Sequence, residues 1–138
     1  MTLPLRDALI PKLRAEFPSM SMRIGGEGEA LVVFPAKHAQ VGDLTIQDEG
    51  YELTVIIGAI THRHFGSPLT RANPHEQAED IAAQVTEYLG QLFADEIEFY
   101  GYGTGGGARA RSGTRRGLLS RLFLGWRTYV WSGPLDDA

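Results

Sequence analysis

One long amphipathic stretch, residues 73–95, constrains the fold more than any other part of the chain. It reads NPHEQAEDIAAQVTEYLGQLFAD, and its apolar residues recur at three- and four-residue steps. Such steps place them on one stripe of a helix, with most of the acidic and amide side chains on the opposite side. Asn73 can cap the first turn, Pro74 suits the first helical position, and Glu76 stands where a capping-box acid would. The pattern predicts a long helix that covers an apolar surface.

The segments on either side of this helix are candidates for the surface that it covers. Those with the alternation or the β-branched and aromatic composition of strands are 20–24, 30–34, 43–47, 51–57, 61–65, 96–100 and 126–131. The two alternating runs around Asp48-Glu49-Gly50 predict a hairpin. Segment 61–65 either extends the preceding strand beyond a bend at Gly58 or forms a strand of its own. Leu5, Leu9, Leu13 and Phe17 step by four and predict a first helix, which Pro11 either kinks or begins.

This order of elements, α-β-β-β(-β)-α-β-β, predicts an α+β fold. We expect a mainly antiparallel sheet of five to six strands with two main helices packed on one face. With 138 residues and 43% apolar content, the chain fits a single domain over 1–138. A flexible insertion rich in glycine and arginine is predicted at about 103–117, because it has too few apolar groups to offset the entropy of ordering it.

The charges of the chain are unevenly distributed. Residues 1–100 carry seven basic and fifteen acidic side chains, hence −8, whereas residues 101–138 carry six arginines and two aspartates, hence +4. Within the basic part, Arg109, Arg111, Arg115 and Arg116 are candidates for anion binding, since arginine pairs well with phosphate. The acidic body and the absence of a readout motif argue against specific nucleic-acid recognition, so any such binding would be weak and salt-dependent. Alternatively, these arginines lie across the acidic body of the protein itself.

Two further motifs suggest chemistry. His62 and His64 would point to the same side of a strand, where two imidazoles can share a metal ion such as zinc. A third ligand could come only from elsewhere in the fold, and an exposed polar strand face is the simpler interpretation. The glycines of 101–106 fit the GxGxxG pattern of dinucleotide sites, but neither a following helix nor a βαβ unit is predicted, so a hairpin connection is favoured.

Other classes of site are not indicated. The chain has no cysteine, no serine in a GxSxG elbow and no cofactor-binding motif in its expected structural context, so we expect no cofactor. Its longest apolar run is far too short to span a bilayer, and the start lacks the pattern of a signal peptide. A cytoplasmic protein without a membrane span is therefore expected.

These observations favour a non-catalytic protein–protein interaction module, whose partner is another protein or a second copy in a homodimer. Trp126, Tyr129 and Trp131 are the expected anchors, because large aromatic side chains dominate interface energies. In architecture alone, the element order and acidic balance resemble those of bacterial secretion chaperones and toxin-neutralising immunity proteins, which implies binding to a protein. One alternative is a metal-dependent or small-ligand enzyme that uses the His62/His64 strand, and a second is a weak phosphate or nucleic-acid binder that uses the arginine-rich loop.

Overall fold

The computed structural model describes residues 3–69, 73–102, 105–111 and 127–135. Its helices are α1 (Leu5–Glu16) and α2 (Pro74–Phe93). Its strands are β1 (Arg23–Ile24), β2 (Val32–Phe34), β3 (Leu44–Asp48), β4 (Leu53–Ile57), β5 (Thr61–Phe65), β6 (Ile97–Tyr102), β7 (Gly105–Ala110), β8 (Arg127–Val130) and β9 (Gly133–Pro134). The α+β class is confirmed.

Helix α2 begins as its sequence predicts. The Asn73 side-chain oxygen accepts a hydrogen bond of 2.8 Å from the Glu76 backbone N–H, and the Asn73 amide donates one of 2.8 Å to the Glu76 carboxylate. The first bond caps the helix, and the second holds the Asn73 side chain in its capping position. The buried residues of α2 are Ala78, Ile81, Ala82, Val85, Tyr88, Leu89 and Leu92. They form the predicted stripe, which packs into the core.

Helix α1 begins at Leu5 and continues through Pro11 instead of starting there. Proline removes one backbone donor, and the exposed position of Pro11 leaves the buried side of the helix intact. The two helices pack against each other, and α2 also contacts β4, β5 and β6.

The strands form two antiparallel sheets, where one sheet of five to six strands was expected. The first has the order β1-β2-β3-β4-β5, and the second has the order β7-β6-β8-β9. β5 is a strand of its own because the chain reverses after β4. Gly58 makes this possible: its φ is +49°, and a Cβ there would lie 2.0 Å from the Val41 carbonyl oxygen. A larger residue would meet both strain and a backbone clash at that turn.

Part of the glycine- and arginine-rich segment, which was predicted as a flexible insertion, is a strand. Residues 105–110 form strand β7, which pairs with β6 from Tyr102↔Gly105 to Ile97↔Ala110. The Arg111 backbone N–H continues this ladder with a hydrogen bond of 2.7 Å to the Glu96 carbonyl. Residues 103–104 and 112–117 of the expected insertion lie outside the described residues.

Aromatic side chains join the helices to both sheets. The ring of Phe93 lies 5.1 Å from Phe17, 5.0 Å from Phe34 and 5.3 Å from Trp131, measured between centroids. The contacts link α1, β2 and the turn after β8 to the end of α2. This cluster belongs to the main hydrophobic core.

In the part of the chain that the structure describes, neither helix is long and apolar enough to cross a lipid bilayer.

Candidate functional site

The two sheets meet at their edge strands, β5 and β7. A Cβ atom on Gly106, in β7, would lie 2.0 Å from the carbonyl oxygen of Ile60, which immediately precedes β5. Only glycine allows two backbones to approach this closely. The two strands therefore start side by side. Among the described residues, neither has a partner strand along its outer edge.

A cleft with a volume of about 420 Å³ lies between β5 and β7. Its walls are residues 61–63 of β5 and 106–110 of β7, and its floor is formed by Val55, Ile57, Tyr88, Gln91 and Ile97. The three aliphatic floor residues are buried members of the core, so the floor is firmly packed and largely apolar. Ligand sites of proteins have similar volumes, about 300–1,000 Å³.

Arg63 projects from the middle of β5 on the side that faces the core. Its cross-strand neighbour is the buried Val55, and the alternation of the strand places Phe65 on the same side. The central carbon of the Arg63 guanidinium lies 4.8 Å from the Phe65 ring centroid and 5.0 Å from the Tyr88 ring centroid. Stacking on two aromatic rings restrains the orientation of the guanidinium plane.

The charges lining the cleft are opposite in sign to the net charge of the chain. Among the described residues, no aspartate or glutamate lines the cleft, although the net charge is −4. Arg109, on the β7 wall, forms an ion pair through its Nε with the buried carboxylate of Glu98. Arg63 forms no ion pair within the described part of the chain. It is therefore the cleft arginine that lacks a carboxylate partner there.

Tyr88 connects the cleft to the core of the protein. Burial raises the pKa of its hydroxyl above 10.0, and both the charge of Arg63 and a hydrogen bond from that guanidinium partly oppose this rise. The neutral form of the tyrosine is therefore the one that the fold accommodates. Ionising it would require a buried phenolate, which is costly even next to an arginine.

This raised pKa predicts a loss of stability at alkaline pH. Above about pH 10, the unfolded tyrosine releases its proton more readily than the folded one, so the free energy of unfolding falls as pH rises. We expect Tyr88→Phe to reduce this fall in denaturant titrations from about pH 9 to about pH 11. Tyr51→Phe is the matched control, because Tyr51 is 68% exposed. An equally steep fall in both variants would contradict the assignment.

The predicted histidine pair lies on the side of β5 opposite Arg63. The ring centroids of His62 and His64 are 5.2 Å apart, and His64 Nδ1 lies 2.9 Å from Thr54 Oγ1 and 3.2 Å from Glu52 Oε1. In the described ranges, no group of three or more histidine, aspartate or glutamate side chains is arranged to hold a metal ion. A metal ion bound here would thus have the two imidazoles as ligands and no third ligand from those ranges.

Of the three aromatic anchors expected at a surface, the structure describes Tyr129 and Trp131. Trp131 is only 2% exposed and packs on Phe93, so its side chain belongs to the core. Tyr129 is half-buried and stacks on Phe99 with a centroid distance of 6.4 Å. Trp126 lies outside the described residues. The two described anchors, Tyr129 and Trp131, therefore form no interface among the described residues.

The predicted arginine set is only partly described. Arg109 pairs with Glu98 although its side chain is 49% exposed, and Arg111, which is also exposed, donates a hydrogen bond of 3.4 Å to the Asp95 carbonyl. This agrees with the alternative that the basic segment lies across the acidic body. Arg115 and Arg116 lie outside the described residues. Of the glycine fingerprint at 101–106, residues 101–102 lie in β6 and 105–106 in β7, where the described strands leave no helix N-terminus for a phosphate, and residues 103–104 lie outside the described residues.

Sequence reasoning missed Arg63 as a functional candidate. The sequence of Thr61–Phe65 contains a signal for it. Alternation along a strand places Arg63 on the same side as Phe65, an apolar residue of the type expected on the buried side. A charged residue on the core side of a strand needs either a partner or an opening to solvent. The second wall of the cleft had no comparable signal, since β7 itself was not predicted.

Comparisons of the chain with protein families, with curated proteins and with solved structures found no match. Its function therefore has to be inferred from the geometry of its own side chains.

Proposed function

We propose that this protein is a non-catalytic protein-interaction module that holds an extended segment of its partner in the cleft between β5 and β7. The observation that supports this most strongly is that two sheet edges line the same cleft. An extended segment placed there would add a strand to β5 or to β7. This mode of recognition is β-strand addition.

Backbone chemistry favours such an occupant. Along an edge strand, alternate residues direct their N–H and C=O groups outward, where a neighbouring strand can bind them. The glycine and alanine residues of β7 carry little or no side chain, so another backbone can approach this wall of the cleft closely. Buried aliphatic residues form much of the floor, which can take up apolar side chains of the incoming segment.

The two alternatives have less support from the described residues. An enzyme that uses His62 and His64 would need a third metal ligand or a catalytic partner beside them. Anion binding by the arginine-rich segment would use Arg109, whose charge is already partly balanced by its ion pair with Glu98. Strand addition uses the groups that the cleft already presents.

The proposal predicts that the protein binds extended peptides along β5 or β7. We would select peptides of about eight residues, enough to run along a strand, from a random library displayed on phage. Binding of the synthetic peptides would then be measured by fluorescence anisotropy and by amide hydrogen exchange. We expect amides of 61–65 or of 105–110 to become protected, because an added strand supplies their missing acceptors.

A pair of tryptophan variants provides the control. Ala108→Trp would fill the cleft, since Ala108 is an exposed residue of its β7 wall, and we expect it to weaken peptide binding at least about tenfold by steric exclusion. Ala39→Trp places the same side chain in an exposed loop away from the cleft and should not affect binding. The proposal would be overturned if the library yielded no binding peptide or if both variants bound the peptide equally well. It would also be overturned if hydrogen-exchange protection appeared only in other segments. Sedimentation would reveal whether a second copy of the chain occupies the cleft instead.

A further inference from the structure

We infer that Arg63 selects the partner segment by pairing with an aspartate or glutamate side chain within it. This rests on the proposed function, because it concerns the chemistry of the segment that the β5–β7 cleft holds. The supporting observations are the position of Arg63 and the side chains around it. Together they present a restrained cation inside a cleft that has no acid among its described lining residues.

The guanidinium is oriented before any ligand binds. It lies over the adjacent rings of Phe65 and Tyr88, and these contacts restrict rotation about the long side chain. A planar guanidinium matches a carboxylate with two parallel N–H···O hydrogen bonds. Restraint of its orientation in advance lowers the entropic cost of forming them. A carboxylate is thus a better match for this group than a neutral amide.

The position of Arg63 favours a side chain over a chain terminus. Arg63 is the third of the five residues of β5, so a segment that pairs along the strand passes across it and continues on both sides. In paired strands, directly opposite residues point to the same face of the sheet. The acidic side chain would therefore point toward Arg63, and residues two positions before and after it would point toward the apolar floor. The inferred pattern is apolar-x-acidic-x-apolar.

Charge also argues against a basic segment. Two arginines line the cleft, and no carboxylate of the described lining residues compensates Arg63. A lysine or arginine of the partner directly opposite Arg63 would bring two like charges together in a partly desolvated site. Such juxtaposition excludes partners as effectively as attraction selects them.

The test uses a matched pair of synthetic peptides with blocked termini. One is a selected peptide that carries the acidic residue, and the other replaces that residue by its amide, glutamate by glutamine or aspartate by asparagine. We expect the amide peptide to bind wild type about tenfold or more weakly, which is typical of losing a charge-assisted pair. Arg63→Gln should bind both peptides equally. Arg14→Gln removes the same charge from the exposed side of α1 and should discriminate as wild type does.

Charge reversal provides the second arm. Arg63→Glu should prefer a peptide that carries lysine at the acidic position, and its circular dichroism and thermal midpoint would show that it remains folded. The inference would be overturned, and strand addition left intact, if wild type bound the acidic and the amide peptide equally well. The same holds if Arg14→Gln lost the discrimination as fully as Arg63→Gln. Tighter binding of the amide peptide made with a free C-terminal carboxylate than of the blocked acidic peptide would also overturn it. If no peptide binds wild type at all, the proposed function itself fails.

Discussion

Replacing Val85 by aspartate is expected to unfold the domain. Val85 lies in the middle of α2 and is 0% exposed, packed in the core that both helices share with the sheets. An aspartate there would place a carboxylate among apolar side chains. Breaking apolar packing and burying an unpaired charge costs several kcal/mol, a large part of the roughly 5–15 kcal/mol that stabilises an ordinary domain.

The measurement is far-ultraviolet circular dichroism with a thermal and a denaturant titration. Glu87→Ala is the matched control, because Glu87 lies two residues further along the same helix and is exposed. It should change the free energy of unfolding by no more than about 0.5 kcal/mol. A folded Val85→Asp variant with nearly unchanged stability would show that the buried face of α2 has been assigned wrongly.

Helix α2 was predictable because its information is local. The apolar steps between Ala78 and Leu92 define one face over several turns, and Asn73 marks the start. The β3–β4 hairpin was predictable for the same reason, since alternation and a turn sequence agree over a short stretch. In both places, local preference and tertiary packing favour the same conformation.

Strand β7 was not predictable because its sequence opposes its structure. Three glycines in Gly105–Ala110 weaken a strand by about 0.5–1 kcal/mol each relative to alanine. The close contact of Gly107 with the Tyr100 ring, and of Gly106 with the chain before β5, shows what the glycines allow. Both contacts join parts of the chain that sequence alone does not bring together. Tertiary context therefore decides this strand.

The same limit explains why the cleft was not predictable. Trp131 has the composition of an interface anchor, but whether an aromatic side chain is buried in the core or exposed depends on distant neighbours such as Phe93. The cleft combines three residues of β5 and five of β7 with a floor to which α2, β4 and β6 contribute one or two residues each. Residue type marks a candidate, and the fold decides which candidates share a surface.

Replacing Gly106 by alanine is expected to produce the other large loss of stability, about 1–3 kcal/mol, because overpacking in a tight contact costs this much. The added Cβ would lie 2.0 Å from the Ile60 carbonyl oxygen and 3.0 Å from the Tyr100 carbonyl oxygen. Both neighbours are backbone atoms, which cannot rotate away as a side chain can. Relief requires β7 to move away from the start of β5, which would disrupt the closed end of the cleft.

Gly90→Ala is the control, and its effect should have the opposite sign. Gly90 lies within α2, and nothing lies within 4 Å of the position that its Cβ would occupy. Alanine should therefore raise the free energy of unfolding by about 0.5–1 kcal/mol, because it restricts the unfolded chain and favours the helix. Denaturant titrations of the two variants beside wild type measure both effects. If Gly106→Ala were as stable as wild type, β5 and β7 could not approach as closely as described, and the cleft between them would have a different shape.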